Sequence, residues 1–272
     1  MFATLIPSNC RLCSAPLIKI SRLPVCDTCL AAMRPITGLV CSVCGERLTS
    51  PYAVSEGIAR CGACQRMEPL FDKAVAYGSY EGGLRELIHL LKYEQVRPAA
   101  GVLGRMLGEA IAAVLPRLDQ SVPLVIPVPL HAAKLRQRGF NQSELIARTA
   151  LKSPALNAAS WPLDNAILER VRATESQTGL TRHQRRENVR GAFQVRNVEA
   201  VDGRTILLVD DVFTTGTTVS ECARVLRKAG AVRVWVATVA RVLRPELTFA
   251  VPEDASKGEE STPELRAMAA TV

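Results

Sequence analysis

The segment at residues 205–218 brings two carboxylates, four threonine hydroxyls and a glycine together within nine consecutive positions. It reads TILLVDDVFTTGTT and begins with an apolar run at residues 206–209. Such a run of β-preferring residues is typical of a strand buried on both faces, as in a parallel sheet. We expect the strand to end at two acids, which precede five small residues. The acids are Asp210 and Asp211, and the small residues are Thr214, Thr215, Gly216, Thr217 and Thr218.

The small residues after this strand predict an anion site. Residues 219–229 carry apolar side chains at helical spacing, and Gly230 is the expected helix stop. In a loop between a strand and a helix, backbone N–H groups converge, hydroxyls add donors, and the helix dipole favours a phosphate. Gly216 would let the backbone approach the ligand closely. The chain has no G-x-x-x-x-G-K-[ST] pattern, so the loop differs from a Walker loop.

The two acids in front of the loop predict a second ligand group beside the phosphate. Carboxylates repel a phosphate, so Asp210 and Asp211 should hold something else. The vicinal hydroxyls of a ribose, or a divalent cation bound to them, fit that requirement.

Eight of the nine cysteines form four C-x-x-C pairs within the first 64 residues. Two thiolates at this spacing can hold one ion from a tight turn, and two such pairs complete a tetrahedral Cys₄ site. We therefore predict two structural Zn²⁺ ions, each contributing roughly 10–16 kcal/mol to folding. The predicted ligands are Cys10, Cys13, Cys26, Cys29, Cys41, Cys44, Cys61 and Cys64.

The sequence leaves the pairing scheme of these cysteines open. Sequential pairing (first pair with second, third with fourth) gives two zinc ribbons, and alternating pairing gives a cross-brace; we favour the sequential scheme. The role of the module is equally open between nucleic-acid binding, partner docking and a purely structural function. The ninth cysteine, Cys222, lies in the expected helix after the small-residue loop, where we expect it to be a small core residue.

Alternating strand and helix patterns surround these motifs and must position them. We expect strands at 71–80, 124–126, 166–171, 191–195 and 232–239, and helices at 84–93, 97–115 and 142–151. Lys92 follows the apolar stripe of the first helix. It is predicted either to reach a phosphate in the site or to be a solvated lysine at the helix end.

Two basic segments are predicted as loops suited to anions. The first, at 127–142, opens with P-V-P, whose rigid φ angles fix the direction of the chain. It carries Pro129, His131, Lys134, Arg136 and Arg138. The second, at 174–190, is polar and has little apolar periodicity. It carries Arg182, Arg185 and Arg186.

Residues 210–218 resemble the phosphoribosyl pyrophosphate (PRPP) motif of type I phosphoribosyltransferases. Further motifs narrow the resemblance to the ComF family of competence-associated, amidophosphoribosyltransferase-like bacterial proteins. These motifs are P-V-P-L, R-x-R-G-F-N-Q, Q-T-G-L at 177–180 and R-R-E-N-V at 185–189. Many members carry an amino-terminal double zinc ribbon, which the four cysteine pairs match. The resemblance covers roughly residues 8–242.

The resemblance implies a role for each part of the site. The acids would bind the ribose, and the T-T-G-T loop would bind the 5′-phosphate. The PRPP-binding set would be Asp210, Asp211, Val212, Phe213, Thr214, Thr215, Gly216, Thr217 and Thr218, together with Pro129, Arg138 and Lys92. Segment 174–190 would close over PRPP, and its Arg182 and Arg185 would join the acids as catalytic residues. Segments 127–142, 174–190 and 205–218 would form a three-sided pocket for PRPP and Mg²⁺.

Composition limits the class of protein. The net charge of +8 suits an anionic ligand, and aliphatic residues must build the core, because 48% of residues are hydrophobic but only 4% are aromatic. No stretch approaches 18 uninterrupted apolar residues, so no membrane-spanning helix or membrane insertion is expected. The first residues lack the features of a signal peptide, so a cytoplasmic location is expected.

These observations predict an α/β fold: a type I phosphoribosyltransferase-like parallel sheet flanked by helices, behind a small double zinc ribbon. The expected boundaries are 8–68 for the ribbon and 71–244 for the α/β domain, with a disordered acidic tail at 245–272. The expected activity is transfer of phosphoribosyl from PRPP to a nitrogen nucleophile. The alternatives are a non-catalytic PRPP or nucleotide binder and a competence factor that handles single-stranded DNA, with DNA-uptake proteins as partners. The sequence indicates neither the acceptor nor the oligomeric state.

Overall fold

A computed structural model describes residues 9–17, 21–48, 54–55, 58–114, 122–156, 158, 160–174 and 181–243. In chain order its elements are α1 (Asp27–Ala31), β1 (Val54–Ser55), β2 (Ile58–Ala59), α2 (Gly62–Arg66), β3 (Lys73–Ser79), α3 (Gly82–Tyr93), α4 (Ala99–Ala112), β4 (Leu124–Pro127), α5 (Ala132–Arg138), α6 (Gln142–Leu151), β5 (Leu168–Arg170), α7 (Arg182–Val189), β6 (Phe193–Val195), β7 (Thr205–Phe213), α8 (Thr217–Lys228) and β8 (Arg233–Arg241).

The central sheet has the strand order β3-β8-β7-β4, and all three pairings are parallel. The two middle strands pair from Thr205 opposite Arg233 to Phe213 opposite Arg241. Successive residues of β7, such as Ile206, Leu207 and Leu208, are buried although they point to opposite faces. This pattern requires layers on both faces of the sheet, and it confirms the strand expected from the apolar run.

Helices supply those two layers. Helices α3, α4 and α6 pack on one face, where Leu87, Leu107 and Ile146 are fully buried against strand residues such as Leu207. Helix α8 and the antiparallel strand pair β5–β6 cover the other face. Cys222 of α8 lies in this second layer with no exposed surface, as expected of a small core residue.

The cysteine-rich segment packs along the edge strand β3 and reaches both layers. Cys10 and its neighbours join the apolar cluster under α3, whereas the four later cysteines join the cluster under α8. The backbone N–H of Ile36 donates to the carbonyl of Tyr77 at 2.7 Å, and Ala74 N–H donates to the carbonyl of Val43 at 2.6 Å. These bonds cover the outer edge of β3, which would otherwise offer unpaired backbone groups to other chains.

Three expectations from the sequence need correction. Strand β7 does not end at the acids but runs through them to Phe213, because β8 continues to pair with it. The expected basic loop at 127–142 contains helix α5, and the expected loop at 174–190 contains helix α7. The strand expected at 191–195 is present as β6, which pairs with β5 in a separate two-stranded sheet.

Some predictions fall outside the described residues. These are the Q-T-G-L motif at 177–180 and the acidic tail at 245–272. Among the described helices, none combines the length and the apolar character needed to cross a membrane.

Candidate functional site at the carboxyl edge of the sheet

The four parallel strands end along one edge of the sheet, and a cleft of about 1290 Å³ opens there. Parallel α/β sheets bind their ligands at this edge, beyond the carboxyl ends of the strands. One wall of the cleft is the segment after β7, and a second is helix α7. A third wall comes from the later cysteine segment, including Cys61, Cys64 and the residues from Met67 to Phe71.

The T-T-G-T segment forms the turn between β7 and α8. Gly216 is the N-cap of α8 and has φ 75°, in the left-handed region that favours glycine. The hydroxyls of Thr215 and Thr217 lie in hydrogen-bonding contact with each other. The first turn of any helix leaves backbone N–H groups without intrahelical partners, and here those groups face the cleft edge of the sheet. The turn is therefore built to receive an anion.

The acid pair lies at the end of β7 with a separate polar partner for each carboxylate. Asp210 accepts a hydrogen bond from the Ser143 hydroxyl at 3.0 Å. Asp211 accepts one from the Lys92 ammonium group at 2.6 Å. Lys92 and Asp211 are both largely buried, so this ion pair is shielded from solvent.

Burial perturbs the charges in this cluster. Removal from water and the neighbouring charge of Asp211 raise the pKa of Asp210 to about 7, although Lys92 acts in the opposite direction. Burial lowers the pKa of Lys92, but the charge and hydrogen bond of Asp211 outweigh it, so the net pKa of Lys92 is raised. Lys92 is thus a fixed cation, and Asp210 is a carboxylate that changes charge near neutral pH.

One oxygen of the acid pair has no partner among the described residues. The second carboxylate oxygen of Asp211 is buried and makes no hydrogen bond there, although its other oxygen contacts Lys92. A buried acceptor without a donor is unfavourable. A ligand hydroxyl or a divalent cation would satisfy it, so the donor set fits Mg²⁺ or a ribose.

The residues expected around the pyrophosphate are spread more widely than the sequence suggested. Lys92 lies at the acid pair and lines the cleft. Pro129 follows β4, but neither it nor Arg138 is among the cleft-lining residues described. Arg138 is buried, donates to the side-chain carbonyl of Gln142, and has its guanidinium 5.8 Å from the ring centroid of Tyr93. Its position is explained by the α5–α6 junction, where the sequence predicted an open loop.

Helix α7 places part of the Arg-rich segment over the cleft. Arg185 lines the cleft with Arg186 and Arg190, whereas the side chain of Arg182, the first residue of α7, is not described. Arg172 fastens the far end of the helix by donating to the carbonyls of Asn188 and Arg190, each at 2.9 Å. The backbone N–H of Gly191 donates to Glu221 of α8 at 2.7 Å.

The expected three-sided pocket is therefore only partly correct. Residues 212–217 supply one wall and helix α7 a second, but the third is the later cysteine segment and not the basic segment 127–142. Of the predicted PRPP set, seven residues line the cleft: Lys92, Val212, Phe213, Thr214, Thr215, Gly216 and Thr217. Asp210, Asp211 and Thr218 are not among the residues that line it, and the acid pair meets the cleft through Lys92.

The cysteines form two groups with the sequential pairing. Cys10, Cys13, Cys26 and Cys29 form one group, and Cys41, Cys44, Cys61 and Cys64 form the other; within each group the sulfur atoms lie within 4.8 Å of one another. Representative Sγ–Sγ distances are 3.7 Å for Cys13–Cys26 and 3.6 Å for Cys44–Cys61. Tetrahedral Zn²⁺ with bonds of about 2.3 Å requires sulfurs roughly 3.8 Å apart, so both groups fit the ion. We call residues 9–33 the first ribbon and residues 40–66 the second ribbon.

Comparison with known proteins agrees with both parts of the chain. A double zinc ribbon domain model matches residues 1–65, and a phosphoribosyl transferase domain model matches residues 154–262. The DNA utilization protein YhgH of Salmonella typhi is 32% identical over 241 residues, which cover 88% of this chain and 99% of that protein. Competence protein F of Haemophilus influenzae is 31% identical, over 77% of this chain and 94% of that protein. The chain belongs to the ComF family. Competence protein ComFC of Bacillus subtilis is 27% identical, over 76% of this chain and 79% of that protein.

Sequence reasoning missed several residues of this ComF site. Ser143 contacts Asp210, and Glu46 pairs with Arg241 at the cleft wall, but these partners are 67 and 195 residues apart. Such contacts leave no local spacing pattern. Helix α7 did carry a local signal, because Thr181 and Gln184 form a capping box at its start.

Proposed function

We propose that this ComF protein binds PRPP with Mg²⁺ and transfers its phosphoribosyl group to a nitrogen nucleophile. The observation that carries the proposal is an acid pair at the end of β7, separated by two residues from the T-T-G-T turn that begins α8. One buried oxygen of Asp211 has no hydrogen-bond partner within the described part of the chain. The turn suits the 5′-phosphate, and the acids suit the ribose hydroxyls. Two zinc ions, one in each cysteine group, would hold the ribbons in place.

The chain's own residues would act by positioning and charge. Asp210 and Asp211 would accept hydrogen bonds from the ribose hydroxyls, and the N-terminus of α8 would hold the phosphate, so C1 of the ribose would be fixed over the cleft. Arg185 on α7 would face the pyrophosphate and help α7 exclude water. Bound Mg²⁺ would supply further charge stabilisation of the leaving pyrophosphate. The nitrogen lone pair forms the bond to C1, the C1–oxygen bond breaks, pyrophosphate leaves with that electron pair, and the nitrogen loses a proton.

Lys92 has a second part in this proposal. Its ammonium group donates to one oxygen of Asp211, and the other oxygen, which has no hydrogen-bond partner among the described residues, would accept from the ligand. We therefore assign Lys92 to the acid pair rather than to direct contact with the pyrophosphate.

The test is Mg²⁺-dependent PRPP binding and pyrophosphate release by the wild type and by the double variant Asp210→Asn/Asp211→Asn. Calorimetry should show binding by the wild type that the double variant loses. Glu199→Gln is the matched control, because Glu199 is exposed and precedes β7 at the opposite edge of the sheet. Binding without pyrophosphate release for any nitrogenous acceptor would support a non-catalytic PRPP sensor instead.

A DNA-handling role is a second candidate. It is favoured by the names of the relatives, DNA utilization protein and competence protein, and by the net charge of +8. Single-stranded DNA would then bind through phosphate contacts, with affinity that falls steeply as salt rises. If Asp210→Asn/Asp211→Asn still binds DNA in a salt-dependent way, the acid pair is not needed for DNA binding. Both candidate functions, and the zinc thiolates, fit a reducing cytoplasm.

A further inference from the structure

Arg241, the last residue of β8, joins the second ribbon to the sheet from a buried position at the cleft. Its side chain is only 4% exposed, and one terminal nitrogen lies 2.7 Å from the carboxylate of Glu46. The other donates to the backbone carbonyl of Cys44, a member of the second cysteine group. Both partners belong to the second ribbon, so the guanidinium fork holds that ribbon at two points.

The same guanidinium contacts the sheet on its other side. Its central carbon lies 4.6 Å from the ring centroid of Phe213, the last residue of β7. The Phe213 ring in turn meets Phe71 edge to face, with centroids 5.9 Å apart. Phe213 is therefore held between a cation tied to the second ribbon and an aromatic ring at the start of the α/β domain.

The Phe213 ring also supports the turn expected to hold phosphate. A Cβ atom added to Gly216 would lie 2.6 Å from the ring's Cζ atom, so the turn and the ring are in close contact. A shift of the ring would therefore move Gly216 and the N-terminus of α8. Contacts run without a break from Cys44 through Arg241 and Phe213 to Gly216.

The first ribbon has no equivalent path in the described part of the chain. None of its residues is among those that line the cleft, whereas the second ribbon contributes Cys44, Glu46, Cys61, Ala63 and Cys64. It packs under α3 instead, in the layer on the other face of the sheet.

We propose that Arg241 is a positioning residue that couples the second zinc site to the phosphate-binding turn. The inference rests on the proposed PRPP binding. Folding of the second ribbon around its metal fixes Arg241, and Arg241 fixes the Phe213 ring beneath Gly216. Occupation of the second metal site therefore strengthens PRPP binding, and occupation of the first does not. Arginine is needed because only its planar fork can bond two acceptors while its face lies on a ring.

Coupling between two binding sites is reciprocal, which allows a test on the intact protein. If the second zinc ion strengthens PRPP binding, then Mg–PRPP must stabilise the second zinc ion. We would follow release of both ions to an excess of a colorimetric chelator, with and without saturating PRPP, at constant Mg²⁺. The expected result is that PRPP slows release of one ion at least tenfold and leaves the other unchanged. In the variant Cys13→Ser, which removes an exposed ligand of the first group, the ion that remains should be the protected one.

Arg241→Met tests the path itself, and its zinc content and PRPP dissociation constant should be measured together. We expect two bound ions, a PRPP affinity reduced at least tenfold, and loss of the PRPP effect on zinc release. Arg241→Lys keeps the charge toward Glu46 but loses the fork and the planar face, so it should restore thermal stability more fully than PRPP affinity. Recovery of both to wild-type values in Arg241→Lys would contradict positioning through Phe213.

The outcomes separate this inference from the proposed function. A wild-type protein that binds no PRPP would overturn both. PRPP binding that protects neither ion, both ions equally, or only the first ion would overturn the coupling and leave the PRPP site intact. If Arg241→Met loses zinc, Phe213→Leu provides the second variant, because Phe213 is not a member of either cysteine group and its ring lies between Arg241 and Gly216. It should retain both ions and lose the protection.

Discussion

Asp210 and Asp211 are adjacent in sequence but face different partners. Asp211 is paired with Lys92, whereas Asp210 accepts from the neutral hydroxyl of Ser143. Lys92 forms an ion pair with Asp211 only. The charge of Asp210 is therefore less well balanced by a neighbouring cation. Its raised pKa follows from burial and from the charge beside it.

The first prediction concerns pH. The pKa of Asp210 is about 7, so its carboxylate is protonated below that value and ionised above it. Mg–PRPP requires the ionised form, so its affinity should fall as pH drops from 8 to 6, and binding at pH 7 should release protons. Calorimetry in two buffers of different ionisation enthalpy measures that release. The phosphate groups of PRPP also release protons near pH 7, so Asp210→Asn should lower the release without removing it; equal release by this variant and the wild type would contradict the assignment.

The same pKa sets the sign of a stability effect. The folded-state pKa of Asp210 lies above the value of about 3.9 for an unperturbed Asp. The contribution of this group to stability is therefore fully present at low pH and is lost as pH rises through about 7. Ligand binding should offset that loss, since it favours the ionised carboxylate.

Gly216 gives a second prediction at the residue scale. In Gly216→Ala the new Cβ would meet the Phe213 ring at 2.6 Å, and the φ of 75° would disfavour any side chain. We expect a loss of about 1–3 kcal/mol in the free energy of unfolding and weaker PRPP binding. Gly203→Ala is the control, because Gly203 has φ 67° but no neighbour within 4 Å of the added atom. Equal PRPP affinity in the two variants would count against the role of the turn.

At this scale the local motifs were readable from the sequence, and the long-range partners were not. The acids and the T-T-G-T turn follow one another in the chain, so their order predicted the turn that the structure contains. Ser143 and Arg241 acquire their roles only when distant elements pack together. Arg138 shows that a local motif can also mislead. It belongs to the R-x-R-G-F-N-Q motif expected to bind PRPP, but it is buried and bonds to Gln142.

At the scale of single elements, the stability of helix α7 comes more from the contacts at its two ends than from the packing of its side chains. It has the sequence RHQRRENV, and Val189 is its one buried residue among those with described side chains. The capping box of Thr181 and Gln184 closes the start, and Arg172 holds the end. An apolar-periodicity search fails on such a helix, because it lacks an apolar face. For the same reason the sequence did not predict α5, which ends at Arg138 and is capped by Gly139 with φ 77°.

The cap gives the element-scale prediction. Thr181→Ala removes the capping oxygen and should destabilise α7 by about 1 kcal/mol. Hydrogen exchange of the amides in α7 should then accelerate roughly fivefold, while exchange in β7 stays unchanged. Asn197→Ala is the control, because Asn197 makes a similar bond to the Ala200 N–H in a turn outside the cleft. Unchanged exchange in α7 would mean that packing on the cleft, not the cap, holds the helix.

At the scale of the whole molecule, the two ribbons are part of the α/β domain's edge. The second ribbon bonds to the outer side of β3 through Val43, and the segment between the ribbons bonds to it through Ile36. Apolar residues of the first ribbon enter one layer around the sheet, and those of the second ribbon enter the other. The sequence predicted both modules and their metal ligands, because C-x-x-C spacing and strand periodicity are local. It did not predict that the ribbons dock along one strand, or that the second ribbon lines the cleft. Those facts depend on strand order, which places β3 at the edge.

Removal of zinc is the prediction at this scale. Chelation should unfold the ribbons and release the Ala74 N–H from the Val43 carbonyl, so that this amide exchanges quickly. The amides between β7 and β8 should stay protected, because they bond within the sheet. Exposure of the β3 edge should also promote association between chains. Slow exchange at Ala74 after complete zinc removal would show that the ribbons hold their fold without metal.

The central claim is that the edge formed by β7 and α8 is a Mg²⁺-dependent PRPP site. The most direct measurement is calorimetric titration of the zinc-loaded wild-type protein with PRPP, with and without Mg²⁺, beside Asp210→Asn/Asp211→Asn and Glu199→Gln. The account predicts binding that requires Mg²⁺, is lost in the double variant and is unchanged in Glu199→Gln. Absence of PRPP binding by the wild type, or equal binding by the double variant, would contradict it.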